Sequence, residues 1–125
     1  MHVYNKQIVT AFVMNANTNS DPYNLQQIYG FSIQAVYTGT PTGTIKLQAS
    51  CDPATSYNST TNVTGSNKPT NWTDIANSSQ SLSAAGSYIW NIPDAMYSWV
   101  RLVYTDGSSG SSTAVLNATI NAKAP

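Results

Sequence analysis

The stretch from Gly30 to Asp52 constrains the fold more tightly than any other, because its polarity alternates twice along the chain. Phe31, Ile33, Ala35 and Tyr37 occupy one phase, and Ser32, Gln34, Val36 and Thr38 the other. Further on, Ile45, Leu47, Ala49 and Cys51 oppose Lys46, Gln48 and Ser50. Successive side chains of a strand point to opposite faces, so the pattern predicts two half-buried antiparallel strands. Between them, Gly39 and Gly43 permit positive φ and Pro41 fixes its own, which predicts a hairpin. Its turn is longer than the two-residue loop, which leaves the turn type open.

The same reading extends in both directions. Ile8, Thr10, Phe12 and Met14 alternate with Val9, Ala11 and Val13, with Val3 and Tyr4 ahead of them. Both phases are apolar, which suits a strand covered on both sides, with Val9, Ala11 and Val13 as candidate contacts to a neighbouring subunit. Leu25, Ile28 and Tyr29 are compatible with strand leading into Gly30. Tyr88 to Ile92 alternates and stops at Pro93. Ser98 to Thr105 is a strong strand, with Val100, Leu102 and Tyr104 inward because that phase puts Arg101 outside. Asp106 to Gly110 carries a hairpin-loop signal. Ala114 to Ala122 closes the chain, with Ala114, Leu116, Ala118 and Ile120 on one face. Residues 53–70 lack any sustained period and form a long loop, the kind that is usually functional or mobile. The expected fold is all-β, a single domain over residues 1–125, as an antiparallel β-sandwich or jelly roll of about six to eight strands.

Ionisable groups are scarce. Five Lys and Arg face five acidic residues, all aspartate, so the formal net charge is zero. Solubility usually rests on net charge, and one way to live without it is to keep much of the surface against neighbours. Lys6, Lys46, Lys68, Arg101 and Lys123 are scattered, which argues against nucleic acid as a partner. No apolar run approaches the ~20 residues that span a bilayer, so no membrane partner is expected. The N-terminus shows no basic region followed by an apolar core, so no Sec-type leader is expected. The lone Cys51 excludes an internal disulfide, and its phase predicts a buried thiol.

Catalytic groups are equally sparse. His2 is the sole histidine, which removes most His-based metal sites and the Ser/His/Asp arrangement. Asp52, Asp74, Asp94 and Asp106 are expected to cap turns through local backbone bonds rather than act as acid/base pairs. Neither a cofactor nor an enzymatic activity is expected. Tyr23, Tyr57, Trp72 and Trp99 fall in or beside loops, where aromatic rings can stack on a glycan; Trp72 and Trp99 also suit a core or an interface. Trp99 and Arg101 share an outward phase, where they can form a cation–π pair or a subunit contact.

Three ordered motifs remain: GTPTGTIKLQAS from Gly39, NWTDI from Asn71, and WVRLVY from Trp99 followed by a Gly/Ser loop. Together they resemble small β-sandwich structural proteins of tailed bacteriophages. Those proteins resemble discoidin-type domains in motif order, with Ser50-Cys51-Asp52, Trp72-Thr73 and Arg101 at the corresponding positions. The long insert between Asp52 and Trp72 departs from that pattern, so no discoidin-like ligand loop carries over. The resemblance implies a virion component, made in the host cytoplasm and assembled on head or tail. Its implied partners are copies of itself, as a homo-oligomer, and other virion proteins. A carbohydrate-binding module used in host attachment is the alternative.

Overall fold

The alternating segments form strands in the structure, a computed structural model that describes residues 2–53 and 69–125. Those residues contain ten strands and no helix: β1 (His2–Val13), β2 (Thr18–Asn19), β3 (Tyr23–Asn24), β4 (Gly30–Thr38), β5 (Gly43–Ser50), β6 (Thr73–Asp74), β7 (Gln80–Leu82), β8 (Gly86–Ile92), β9 (Trp99–Thr105) and β10 (Val115–Ala124). One sheet has the order β1-β10-β4-β8. In the other, β9 and β5 lie at the centre, with β2 and β3 both along β9 and β6 and β7 both along β5. Every pairing is antiparallel. If each split edge is taken as one strand, the ten become eight in the two-sheet arrangement of a jelly roll.

The expected hairpin between β4 and β5 does not form. β4 pairs with β10 and β8, whereas β5 pairs with β9, β6 and β7, so Gly39 to Thr42 is an arch between sheets. Asp106 to Ala114 is likewise a crossing from β9 to β10 rather than a hairpin loop. Two half-buried strands in succession can bury their apolar phases side by side or face to face. Here they face each other, so that Phe31, Ile33 and Ala35 join Ile45 and Leu47 in one core. The arch needs Gly43, whose φ is 92°. A Cβ there would stand 2.0 Å from the Thr105 carbonyl oxygen.

The inward phases of β9 and β10 are as the sequence predicts. Val100, Leu102 and Tyr104 are buried opposite Leu116, Ala118 and Ile120, with Trp90 of β8 beside Ile33. Burial, and then the charge of Asp106, pushes the Tyr104 phenol up to about 12. Its hydroxyl lies 2.8 Å from the Thr42 carbonyl oxygen, 3.2 Å from that of Met14 and 3.3 Å from Asp106 Oδ1. One side chain thereby ties three connections at one end of the sandwich.

Both split edges break at a buried serine. Ser20 follows β2, and its hydroxyl accepts the Leu102 N–H at 2.8 Å. Ser78 precedes β7, and its hydroxyl accepts the Leu47 N–H at 3.1 Å. Each Oγ takes the place of a strand carbonyl, so the central strand keeps its ladder where the edge turns away.

Four further expectations are corrected. β1 is not a regular alternation: its register shifts between Gln7 and Val9 and again between Val9 and Phe12, and Ala11 has φ 46°. These irregularities turn both Ile8 and Val9 into the core, so Val9 is covered by its own chain while Ala11 and Val13 stay exposed. Cys51 is exposed, because β5 ends at Ser50 and the inward phase ends with it. Leu25 to Tyr29 is a turn rather than strand, with Gln27 at φ 67°. Tyr23, expected in a loop, pairs across from Val100 and is fully buried, since the chain after Pro22 returns to the sheet.

Candidate functional site

The outward phase of the second sheet gathers most of its charge. Gln48 of β5 lies opposite Arg101 of β9 on one side and Asp74 of β6 on the other. Arg101 donates from Nε and Nη2 to Gln48 Oε1, at 2.9 and 2.7 Å. Gln48 Nε2 donates to Asp74 Oδ1 at 2.8 Å, and Lys46 Nζ donates to Asp74 Oδ2 at 3.0 Å. The amide of Gln48 and then the ammonium of Lys46 hold the Asp74 carboxyl below its ordinary value. Burial lowers the Arg101 guanidinium, which stays charged at any ordinary pH. Asp74 is thus a cross-strand partner, not the turn cap expected for it.

The cation–π pair forms with a different tryptophan. The Arg101 guanidinium sits 4.2 Å from the ring centroid of Trp72. Trp99 has the predicted outward phase but is 1% exposed, and its Nε1 has no hydrogen-bond partner among the described residues. At its first residue β9 is central, pairing Asn24 on one side and Ser50 on the other. Alternation gives the direction of a side chain, not what later covers it. Of the predicted contacts, Trp72 and Arg101 meet on this face, Tyr23 and Trp99 are buried, and Tyr57 lies outside the described residues. The sequence reading missed Gln48, which joins the two charged strands and carries no motif that would mark it.

Beside this face a cavity of about 440 Å³ is lined by Asp52, Asn71, Asp74, Ile75, Tyr97 and the exposed Cys51, among others. Asp52 accepts the N–H groups of Thr70 and Asn71 at 2.7 and 2.9 Å, and the Asn71 amide at 2.9 Å. Those bonds, the Asn71 amide first, hold its carboxyl at about 2. Asp106, at the other end, caps its turn in the expected way, accepting from the Ser108 hydroxyl and from the N–H groups of Ser108 and Gly110. With Asp52 and Asp74 both held ionised, neither carries a proton to donate at neutral pH. Among the described residues no three His, Cys, Asp or Glu side chains come together to hold a metal ion.

The outward phase of the first sheet is different in kind. It presents Val3, Asn5 and Gln7 of β1, then Asn117, Thr119, Asn121 and Lys123 of β10. Ser32, Gln34 and Val36 of β4 and Ser87, Ile89 and Asn91 of β8 complete it. Val3 is 58% and Ile89 55% exposed, and Val36 and Val13 are also open. The amides bond one another: Asn5 with Asn121, Gln7 with Asn117 at 3.0 Å, and Ser32 with Asn91 at 2.9 Å. Val36 and Ile89 are legible in the sequence as apolar residues on the polar phase of their strands.

No protein-family model matches the sequence, and no curated protein matches it. Among solved structures, the chain is similar to the SPBc2 prophage-derived protein YomS, at 10% identity and a TM-score of 0.54 over 98% of this chain and 95% of that one. It is more loosely similar to a Bacillus endospore appendage protein from a family of disulfide-linked pili, at 8% identity, 98% and 88% coverage and a TM-score of 0.49. A chain of the cyanophage Pam1 capsid asymmetric unit gives 12% identity, 98% and 82% coverage and a TM-score of 0.34. None of these bears on the discoidin-like motif order. The first likeness shows a shared fold, and the looser two add nothing to it.

Proposed function

We propose that the chain is a virion structural protein of a bacteriophage, capsid-associated, a decoration or a tail component, which acts through repeated contacts rather than through catalysis. The reading is carried by the likeness to a prophage-derived protein over nearly the full length of both chains. The charge-poor composition and the apolar side chains open on one sheet face agree with it. Such a protein works by covering apolar surface, worth roughly 25 cal/mol per Å², with symmetry repeating each contact. The test is purification of phage particles from the source culture, with a high-salt wash and quantitative mass spectrometry. The chain is expected at a fixed ratio to the main shell or tail protein; recovery only in the particle-free fraction rejects the role.

Glycan binding in host attachment is the second reading, favoured by the cavity that puts Asp52, Asp74 and Asn71 beside Tyr97 and Ile75. Carboxylates and an amide in one cavity with an aromatic side chain suit a polyhydroxylated ligand of a few sugar units. A glycan array on the wild type and on Tyr97→Ala tests it: binding lost in the variant supports the cavity, and a blank array rejects it.

A further inference from the structure

The four-stranded sheet buries one face and leaves the other open, and the open face is unlike the rest of the surface. Six large apolar side chains are exposed among the described residues. Val3, Val13, Val36 and Ile89 stand on this face, and Tyr29 stands at its rim, where it borders a groove of about 350 Å³ with Val3, Asn91 and Lys123. Lys123 is the one charged side chain on the outward phase of β1, β4, β8 and β10.

We propose that this face docks against the same face of a second copy of the chain, sheet on sheet about a two-fold axis. The proposal deepens the assembly role above and rests on it for its purpose, while its chemistry stands on the face alone. Charge selects the occupant. A two-fold contact sets residue i against j and j against i, and only residues near the axis against their own copies, so a charge near the axis would meet its own kind. Here the centre carries no charge, and Lys123 lies at the end of β10, towards the rim. A partner with a charged surface would instead bury ions without counter-ions.

Six of the polar side chains on the face are already paired. Asn5 with Asn121, Gln7 with Asn117, and Ser32 with Asn91 are bonded within the face, and Asn117 Oδ1 also accepts the Ala11 N–H at 2.8 Å. Covering them therefore strands fewer donors and acceptors than an unbonded polar face would. Four strands about 4.8 Å apart, taken over the seven residues that β8 spans, give a shared footprint on the order of 450 Å². A standard stable interface covers about 800 Å² per partner, so a single contact is weak, with a dissociation constant of roughly 10 µM to 1 mM. A contact of that strength is idle in dilute solution and populated wherever copies are held close.

Sedimentation equilibrium of the full chain from about 10 µM to about 1 mM tests this, alongside Ile89→Asp, Val36→Asp and the milder pair Val36→Thr and Ile89→Thr, which keep β-branched residues on exposed positions. The wild type is expected to dimerise across that range. Either Asp variant should weaken the dimer roughly a hundredfold and each Thr variant about threefold to tenfold, while Ser81→Asp, at an exposed position of β7 in the other sheet, leaves it unchanged. Circular dichroism and melting temperature confirm that each variant folds. A wild type that stays monomeric throughout, or a dimer indifferent to the Asp variants, overturns the proposal. Particle association of the same variants separates the two readings. A monomer that loads onto particles through Ile89 sinks the second copy as occupant, whereas a dimer that never meets a particle sinks the virion role alone.

Discussion

The two sheets share one core and differ in what they turn outward. The first is built from four long strands, with β10 paired along its length on both sides, and its open face carries amides, hydroxyls and bare valine and isoleucine. The second has two long strands at the centre and edges broken into pieces of two or three residues. Short, interrupted edges offer little ladder to a stray strand. Its outward charges are matched to one another, from Lys46 through Asp74 and Gln48 to Arg101 on Trp72. One sheet matches its outward charges to one another, and the other leaves apolar side chains open.

The contrast can be broken most severely from inside. Ile33→Ala in the first sheet and Leu102→Ala in the second should each cost about 2–5 kcal/mol in chemical denaturation, because both sites are fully buried in the same core. A second transition in either variant, in place of one shared midpoint, would mean that the sheets do not share their stability. Next come the edge serines, which belong to the second sheet. Ser20→Ala and Ser78→Ala each leave a central N–H unpaired, of Leu102 or Leu47, and should cost about 1–3 kcal/mol by the same measurement. A double-mutant cycle between Arg101→Ala and Trp72→Ala should give a coupling of about 0.5–1 kcal/mol. No coupling would leave the outer network of the second sheet without energetic content.

Two smaller effects sharpen the contrast. The Asn71 amide and the N–H groups of Asn71 and Thr70 hold the Asp52 carboxyl below the ordinary aspartate value of 3.8, at about 2. Its bonds therefore favour the folded state above the unfolded value, and that contribution disappears as pH falls through about 2. Thermal melts of wild type and Asp52→Asn should differ at pH 5 and converge towards pH 2. The least effect is expected on the open face. Ile89→Thr should change stability by less than about 0.5 kcal/mol, so that whatever it does to association is not a folding effect.

Strand positions and inward phases were legible because alternation follows directly from backbone geometry. β4, β5, β9 and most of β10 fall where period two places them, β10 running two residues past the expected Ala122. Partnership was not legible, since the turn from Gly39 to Thr42 suits a hairpin or an arch equally and the choice is made by the distant strands that finish each sheet. β1 was misread for a related reason. The positive φ of Ala11 is supported by Asn117, more than a hundred residues away in sequence, and no local pattern announces it. At the candidate site, Arg101 was correctly turned outward, but its ring partner comes from the far side of the 54–68 segment. Trp99 showed the right direction and the wrong exposure, because β3 arrives from an unpatterned stretch to pair beside it.

The Asp52 clamp has a consequence for the aromatic ring beside it. By gripping the backbone N–H groups of Thr70 and Asn71, it anchors the chain just ahead of Trp72. Trp72 therefore meets Arg101 from a fixed approach, so that freeing the clamp would loosen the ring on its guanidinium one residue further on.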